Sequence, residues 1–174
     1  MSAADEPEFC RMIDARAVDG RMLTLAANAA ECRMLAQRFG LVAVSQVKAE
    51  LLLTRDGEVI HAKGRLKAAI IQSCAVSGED LPVAIDEPVR FRFVPKAQSK
   101  PPSDAEIELD LDELDEIAFA DTHFDLGEAV AQSLALAIDP YAIGPDAEVA
   151  RTKAGIISEG ANGPFAALGQ MVKK

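Results

Sequence analysis

At 174 residues and 18.5 kDa the chain fits one domain with a tail, because single domains usually run to about 100–200 residues. Hydrophobic residues make up 49% but aromatics only 5%, with no Trp and one Tyr, so a core mostly of Ala, Val, Leu and Ile is expected and large stacking platforms are scarce. Twenty-eight acidic against eighteen basic residues give a net charge of -10, which disfavours bare nucleic-acid binding unless cations are clustered locally.

The three cysteines, Cys10, Cys32 and Cys74, lie far apart and form no paired motif, which suits a reducing compartment better than a disulfide scaffold. The opening MSAADEPEF is acidic and lacks an apolar core, and no apolar run nears the ~20 residues needed to span a bilayer. A cytoplasmic protein with no membrane partner is expected.

Residues 8–13 can pair as a short strand with 21–27, since Asp19 and Gly20 supply a turn between them. Asn28 with Glu31 three residues on forms a reciprocal cap, and Met34, Leu35 and Phe39 share a stripe up to Gly40. The pattern predicts a helix over 29–39. The aliphatic run 41–54 is followed by Asp56 and Gly57, a hairpin signal, and then by a strand containing His61. Gly64 permits a tight reversal, so three successive antiparallel strands are expected to lead to a turn near Gly78. After Pro82, Val89, Phe91 and Phe93 alternate with Arg90 and Arg92, the period-two signature of a half-buried strand that Pro95 ends.

The segment beyond Pro95 has adjacent prolines and no periodicity and reads as an exposed connection. Eight acidic residues then fall between Asp104 and Glu116 with no basic one among them, interleaved with Ile107, Leu109 and Leu111. An acidic-faced strand is expected. Asp125 can cap a second helix over 126–138, where Leu126, Val130, Leu134 and Ile138 recur at helical spacing before Asp139 and Pro140 end it. Residues 141–163 show little patterning and read as a tail, which closes on a short amphipathic segment with Phe165, Leu168 and Val172 on one face.

The fold expected from this series is α+β: an antiparallel, meandering sheet or open barrel of about six to eight strands packed by two main helices. Residues 1–140 would form the domain and 141–174 a mostly flexible tail.

Three pieces, AECRMLAQRFGL, QSCAVSGEDLP followed by VRFRFVP, and DLGEAVAQSLALAIDP, together resemble the YceD-like family of large ribosomal RNA subunit accumulation proteins. The order and spacing of the pieces over roughly residues 8–140 carry the resemblance, and the closing GPFAAL is similar to the tail of one bacterial branch. It implies a non-enzymatic factor supporting synthesis, processing or stability of large-subunit ribosomal RNA. Some relatives carry Cys-x-x-Cys at the central turn and further cysteines after the last helix. Here only Cys74 remains, Ser77 takes the second turn position, and the segment after the helix holds no cysteine. One thiolate cannot supply the four ligands of structural zinc, so neither metal nor cofactor is expected.

The residues themselves offer three binding candidates. The acidic strip, with Glu106, Glu108, Asp110 and Asp112, would attract a basic ribosomal protein or assembly factor. Arg90 and Arg92 on one strand, with Lys63, Arg65 and Lys67 in the neighbouring hairpin, would contact phosphates of large-subunit RNA if they share a surface; DNA is not an expected partner. Phe165 and Leu168 could dock in a partner groove. Against these stand ordinary readings: a solvated acidic face, outward strand charges, and a tail that packs on its own domain. Two other functions compete, a general protein-interaction adaptor unrelated to ribosomes and a small hydrolase using His61 and His123. The hydrolase would require a cleft joining the two histidines, and no nucleophile motif accompanies them.

Overall fold

The computed structural model of the chain describes residues 8–96 and 116–155. In chain order the elements are β1 (Met12–Asp14), β2 (Arg21–Ala26), α1 (Ala29–Phe39), β3 (Ala43–Asp56), β4 (Val59–Ser73), β5 (Asp80–Pro95), β6 (Glu116–Phe119), β7 (His123–Asp125), α2 (Leu126–Ala137) and α3 (Ala147–Lys153). Strands β2 to β5 form an antiparallel meander, and β6 joins the far edge of β5 in parallel, giving an open sheet in the order β2-β3-β4-β5-β6. β1 and β7 pair separately as an antiparallel ribbon. The class is α+β, as the patterning implied.

Alternation along the long strands separates two faces. Ala49, Leu51 and Leu53 of β3, Ile60, Ala62, Leu66 and Ala68 of β4, and Val89, Phe91 and Phe93 of β5 are buried, while the residues between them are mostly exposed. Against this inner face lie Leu35 of α1, Leu126, Val130 and Leu134 of α2, and Phe9, Phe119 and Phe124. The rings of Phe93 and Phe124 meet at 4.3 Å between centroids, joining the large sheet to the β1–β7 ribbon.

Both main helices have the ends their sequences encode. The Asn28 side chain accepts from the backbone N–H groups of Ala30 and Glu31, the Glu31 carboxylate accepts from that of Asn28, and Gly40 closes α1 in the left-handed conformation. Asp125 accepts from Gly127 and Glu128 at the start of α2 and from the Arg11 backbone. Arg38 of α1 forms a two-pronged pair with Glu128 of α2, at 2.8 and 2.7 Å, and also reaches Glu8. The helices are thereby tied to each other and to the N-terminal segment.

Several local expectations are corrected. β1 pairs with β7, not β2, because Asp14 caps a short 3-10 turn at Ala15–Ala17 that carries the chain away, and β2 pairs with β3 instead. Gly64 does not reverse the chain, for β4 runs unbroken through it. The glycine answers a different need: a Cβ there would lie 1.8 Å from the Glu50 carbonyl oxygen, so β3 and β4 approach more closely than a side chain allows. The strand expected after Pro82 starts at Asp80 and contains Pro82 and Pro88. Both lack an N–H and fit only at sites turned away from β4, which leaves the outer edge of β5 short of donors. Within the stretch read as unpatterned, residues 147–153 form α3, with Ala147 buried. The acidic strip up to residue 115 and the closing segment lie outside the described residues, and with them Glu106, Glu108, Asp110, Asp112, Phe165 and Leu168.

Candidate functional site

The outer face of the five-stranded sheet carries no helix among the described residues, and the strand registers decide what it displays. Lys48 of β3 stands opposite Lys67 of β4, which stands opposite Asp86 of β5. One step along, Glu50 faces Arg65, and Arg65 faces Pro88. At the next step Leu52 faces Lys63 and Lys63 faces Arg90, and beyond it Thr54, His61 and Arg92 align, with Glu116 of β6 beside Arg92. β2 adds Thr24 opposite Glu50 and Met22 opposite Leu52. All five cations singled out in the sequence, Lys63, Arg65, Lys67, Arg90 and Arg92, therefore project from one surface.

Six cations share this face with five carboxylates, Glu50, Asp86 and Glu116 among the cations and Asp56 and Asp80 at the strand ends, whereas the whole chain is strongly acidic. Lys48 pairs with Glu50 at 2.7 Å and Arg65 with Asp86 at 2.8 Å, and Arg92 pairs with Glu116. Hydrogen bonding from these cations holds the Glu50 and Asp86 carboxyls below their ordinary range. Lys63 and Arg90 form no ion pair among the described residues, although they stand directly opposite each other. Like charges at opposed positions destabilise a sheet. Lys48 with Lys67 is a second such pair.

Around the middle of this face is a depression of about 480 Å³, lined by Met22, Thr24, Lys48, Glu50, Lys63 and Arg65 with the bare backbone of Gly64 and Lys67. Sequence reading missed Lys48, which belongs to the site by its period-two position in β3. It also missed the carboxylates that neutralise part of the patch, because cross-strand register is not written in any one strand.

A second concentration of polar groups surrounds Cys74 at the end of β4. Its sulfur accepts from the backbone N–H groups of Val76 at 3.4 Å and of Ser77 and Gly144 at 3.3 Å. The Ser77 side chain and these amides pull the thiol down to about 6. Ser77 Oγ donates to Glu79, and Glu79 accepts from the Asp146 backbone, so the turn grips the segment leading into α3. No group of three or more His, Cys, Asp or Glu side chains among the described residues has the arrangement of a metal site.

The two histidines are not brought together as the hydrolase reading required. His61 lies on the large sheet opposite Arg92, whereas His123 lies on the β1–β7 ribbon opposite Asp14, where its Nδ1 is 3.0 Å from Thr122 Oγ1. A cleft of about 700 Å³ between the edge of β5 and α2 is lined by residues such as Glu87, Phe91, Glu116, Gln132 and Leu136, and neither histidine is among them. No described helix is long and apolar enough to cross a membrane.

The profile of one protein family, described as large ribosomal RNA subunit accumulation protein YceD, matches residues 62–171. No curated protein and no solved structure matches the chain. The matched part begins within β4 and takes in β5, the central turn, α2 and α3, so it includes Lys63, Arg65, Lys67, Arg90 and Arg92 while leaving β2, α1 and β3 outside. Covering more than half of the sequence, this match makes the chain a member of the YceD family of large ribosomal RNA subunit accumulation proteins.

Proposed function

We propose that this chain supports the accumulation of large-subunit ribosomal RNA as a non-enzymatic binding factor, and that the outer sheet face is where it holds RNA phosphates. The observation that carries this reading is the Lys63–Arg90 pair, which has no counter-ion among the described residues, on a sheet face of an acidic protein that no described helix covers. Folding alone would favour a neutral or opposite-charge residue at one of the two positions. A bound phosphate resolves the conflict, since one anion between two cations turns their repulsion into two attractions. The surrounding negative charge weakens contact with polyanions elsewhere, so binding is confined to this face.

The acidic strip from Asp104 to Glu116 supplies the complementary half of the reading, a contact for a basic ribosomal protein or assembly factor in the cytoplasm. An RNA-side and a protein-side contact on one small chain would hold the two components of an assembling subunit together.

The process is tested by the ratio of large- to small-subunit ribosomal RNA, including precursor ends, in cells depleted of the protein and re-supplied with it. A selective fall restored by re-supply is expected; an unchanged ratio would remove the reading. With purified protein, affinity for large-subunit RNA should fall steeply between about 50 and 200 mM salt, as phosphate contacts require.

A further inference from the structure

The same face limits the form of RNA it can take, an inference that rests on the phosphate reading above. Proteins that hold unpaired strands combine cations with aromatic side chains on which bases stack, at about 1–3 kcal/mol per base. Here the described aromatics are placed elsewhere. Phe9, Phe91, Phe93, Phe119 and Phe124 are buried on the other side of the sheet, Phe39 belongs to α1, and Tyr141 lies beyond α2. The outer face offers Met22, Thr24, Leu52 and aliphatic lysine stems, and its one ring among the described residues is the His61 imidazole, two positions from Lys63 towards the start of β4.

The cations also form two lines. Lys48 and Lys67 make one row across β3 and β4, and Lys63 and Arg90 make another across β4 and β5. Lys67 and Lys63 are four residues apart on one strand, which separates the rows by about 13 Å at the usual strand rise. Between them runs the row of Glu50 and Arg65, which pair with Lys48 and with Asp86, so a phosphate on the first row shares Lys48 with Glu50, whereas Lys67, Lys63 and Arg90 have no ion pair among the described residues. The depression lies along this middle row, with Thr24 and Glu50 in its lining. A single phosphate line satisfies one cationic row, whereas two lines flanking a wide groove satisfy both, and the B-DNA major groove, at about 12 Å, sets the scale of such a groove. A-form helices present a wide, shallow minor groove bearing 2′-hydroxyls. The Glu50 carboxylate and Thr24 hydroxyl accept hydrogen bonds from such hydroxyls, and the Glu50 charge repels a third phosphate line.

We infer that the outer sheet face docks a helical RNA segment across its minor groove, with one phosphate line on Lys48 and Lys67, the other on Lys63 and Arg90, and 2′-hydroxyls over Thr24 and Glu50. Binding is then set by shape and charge, not by base sequence.

The test is a fluorescence anisotropy titration of the full chain with a duplex RNA of roughly 16 base pairs, one of its single strands, the DNA duplex of the same sequence, and vesicles rich in anionic lipid, each at two salt concentrations. Duplex RNA is expected to bind at least about tenfold more tightly than the single strand or the DNA. The double substitutions K48Q/K67Q and K63Q/R90Q are each expected to weaken duplex binding by about tenfold and to lower its salt slope by about two. Both pairs are solvent-facing, and circular dichroism with thermal melting verifies that the variants fold. Single strands bound as tightly as the duplex would overturn the helical assignment while leaving the phosphate reading in place. Loss from only one of the two double variants would overturn the two-line geometry. Vesicle binding without RNA binding would assign the face to lipid headgroups, and binding to none of the probes would remove both this inference and the reading it rests on.

Discussion

If the outer sheet face holds RNA as proposed, Lys63 and Arg90 are residues at which stability and binding pull in opposite directions. Each is exposed, each is opposed by a like charge, and neither has an ion-pair partner among the described residues. Neutralising either should raise folding stability by about 0.5 kcal/mol, because a repulsive cross-strand pair is removed. The same change should lower RNA affinity roughly threefold to tenfold. Urea unfolding and RNA titration of Lys63→Gln measure the two effects side by side, and a variant that loses stability instead would show that the pair is not repulsive. Gly64, between these cations, is expected to tolerate no side chain. Gly64→Ala must push β3 and β4 apart at the Glu50 carbonyl and should cost about 2–3 kcal/mol in urea unfolding. Cys74 provides a pH signature. Its folded thiol titrates near 6, below the ordinary range near 8.5, so its hydrogen bonds stabilise the fold fully above the unfolded value. That contribution is lost as pH falls through the folded value. The melting-temperature advantage of the native chain over Cys74→Ala should therefore grow as pH rises from about 6 to about 8.5. A constant difference across that window would mean the sulfur stays protonated.

At the scale of elements, the two capped helices and the β3–β4 hairpin are legible in the sequence, whereas α3 and the long-range strand partners are not. Asn28, Glu31 and Gly40 specify the ends of α1 through bonds made within four residues, and Asp125 does the same for the start of α2. Such local chemistry can be read from one stretch of sequence. Asn28→Ala should accordingly destabilise the chain by about 1 kcal/mol in denaturant unfolding, while leaving RNA binding unchanged because α1 packs on the inner face. The β3–β4 hairpin was legible for the same reason, with Asp56 and Gly57 at its turn. By contrast, the partner of β1 lies more than a hundred residues away in β7, and nothing local announces it. Gly64 misled because a glycine that permits a turn and a glycine that permits close strand contact look alike in sequence. The candidate site was half legible. Alternation placed Arg90 and Arg92 together, and Lys63, Arg65 and Lys67 together, but only the β4–β5 register sets one group against the other. The β3–β4 register brings in Lys48 and Glu50, which no single-strand pattern connects to them.

For the whole molecule, charge is segregated by face. A chain with ten more acidic than basic residues gathers six cations on one side of its sheet and places its helices and core on the other. Among the described residues no helix covers the outer side of this open sheet, and the proposed function makes that side a platform for RNA. On the proposed function, this platform is what the protein contributes to large-subunit ribosomal RNA. The measurement that addresses it most directly is the large- to small-subunit ribosomal RNA ratio in depleted cells re-supplied with either the native chain or K63Q/R90Q at equal abundance. The native chain should restore the ratio and the folded double variant should fail to do so. Full restoration by the variant would contradict the account, because the protein would then act through some surface other than its cationic sheet face.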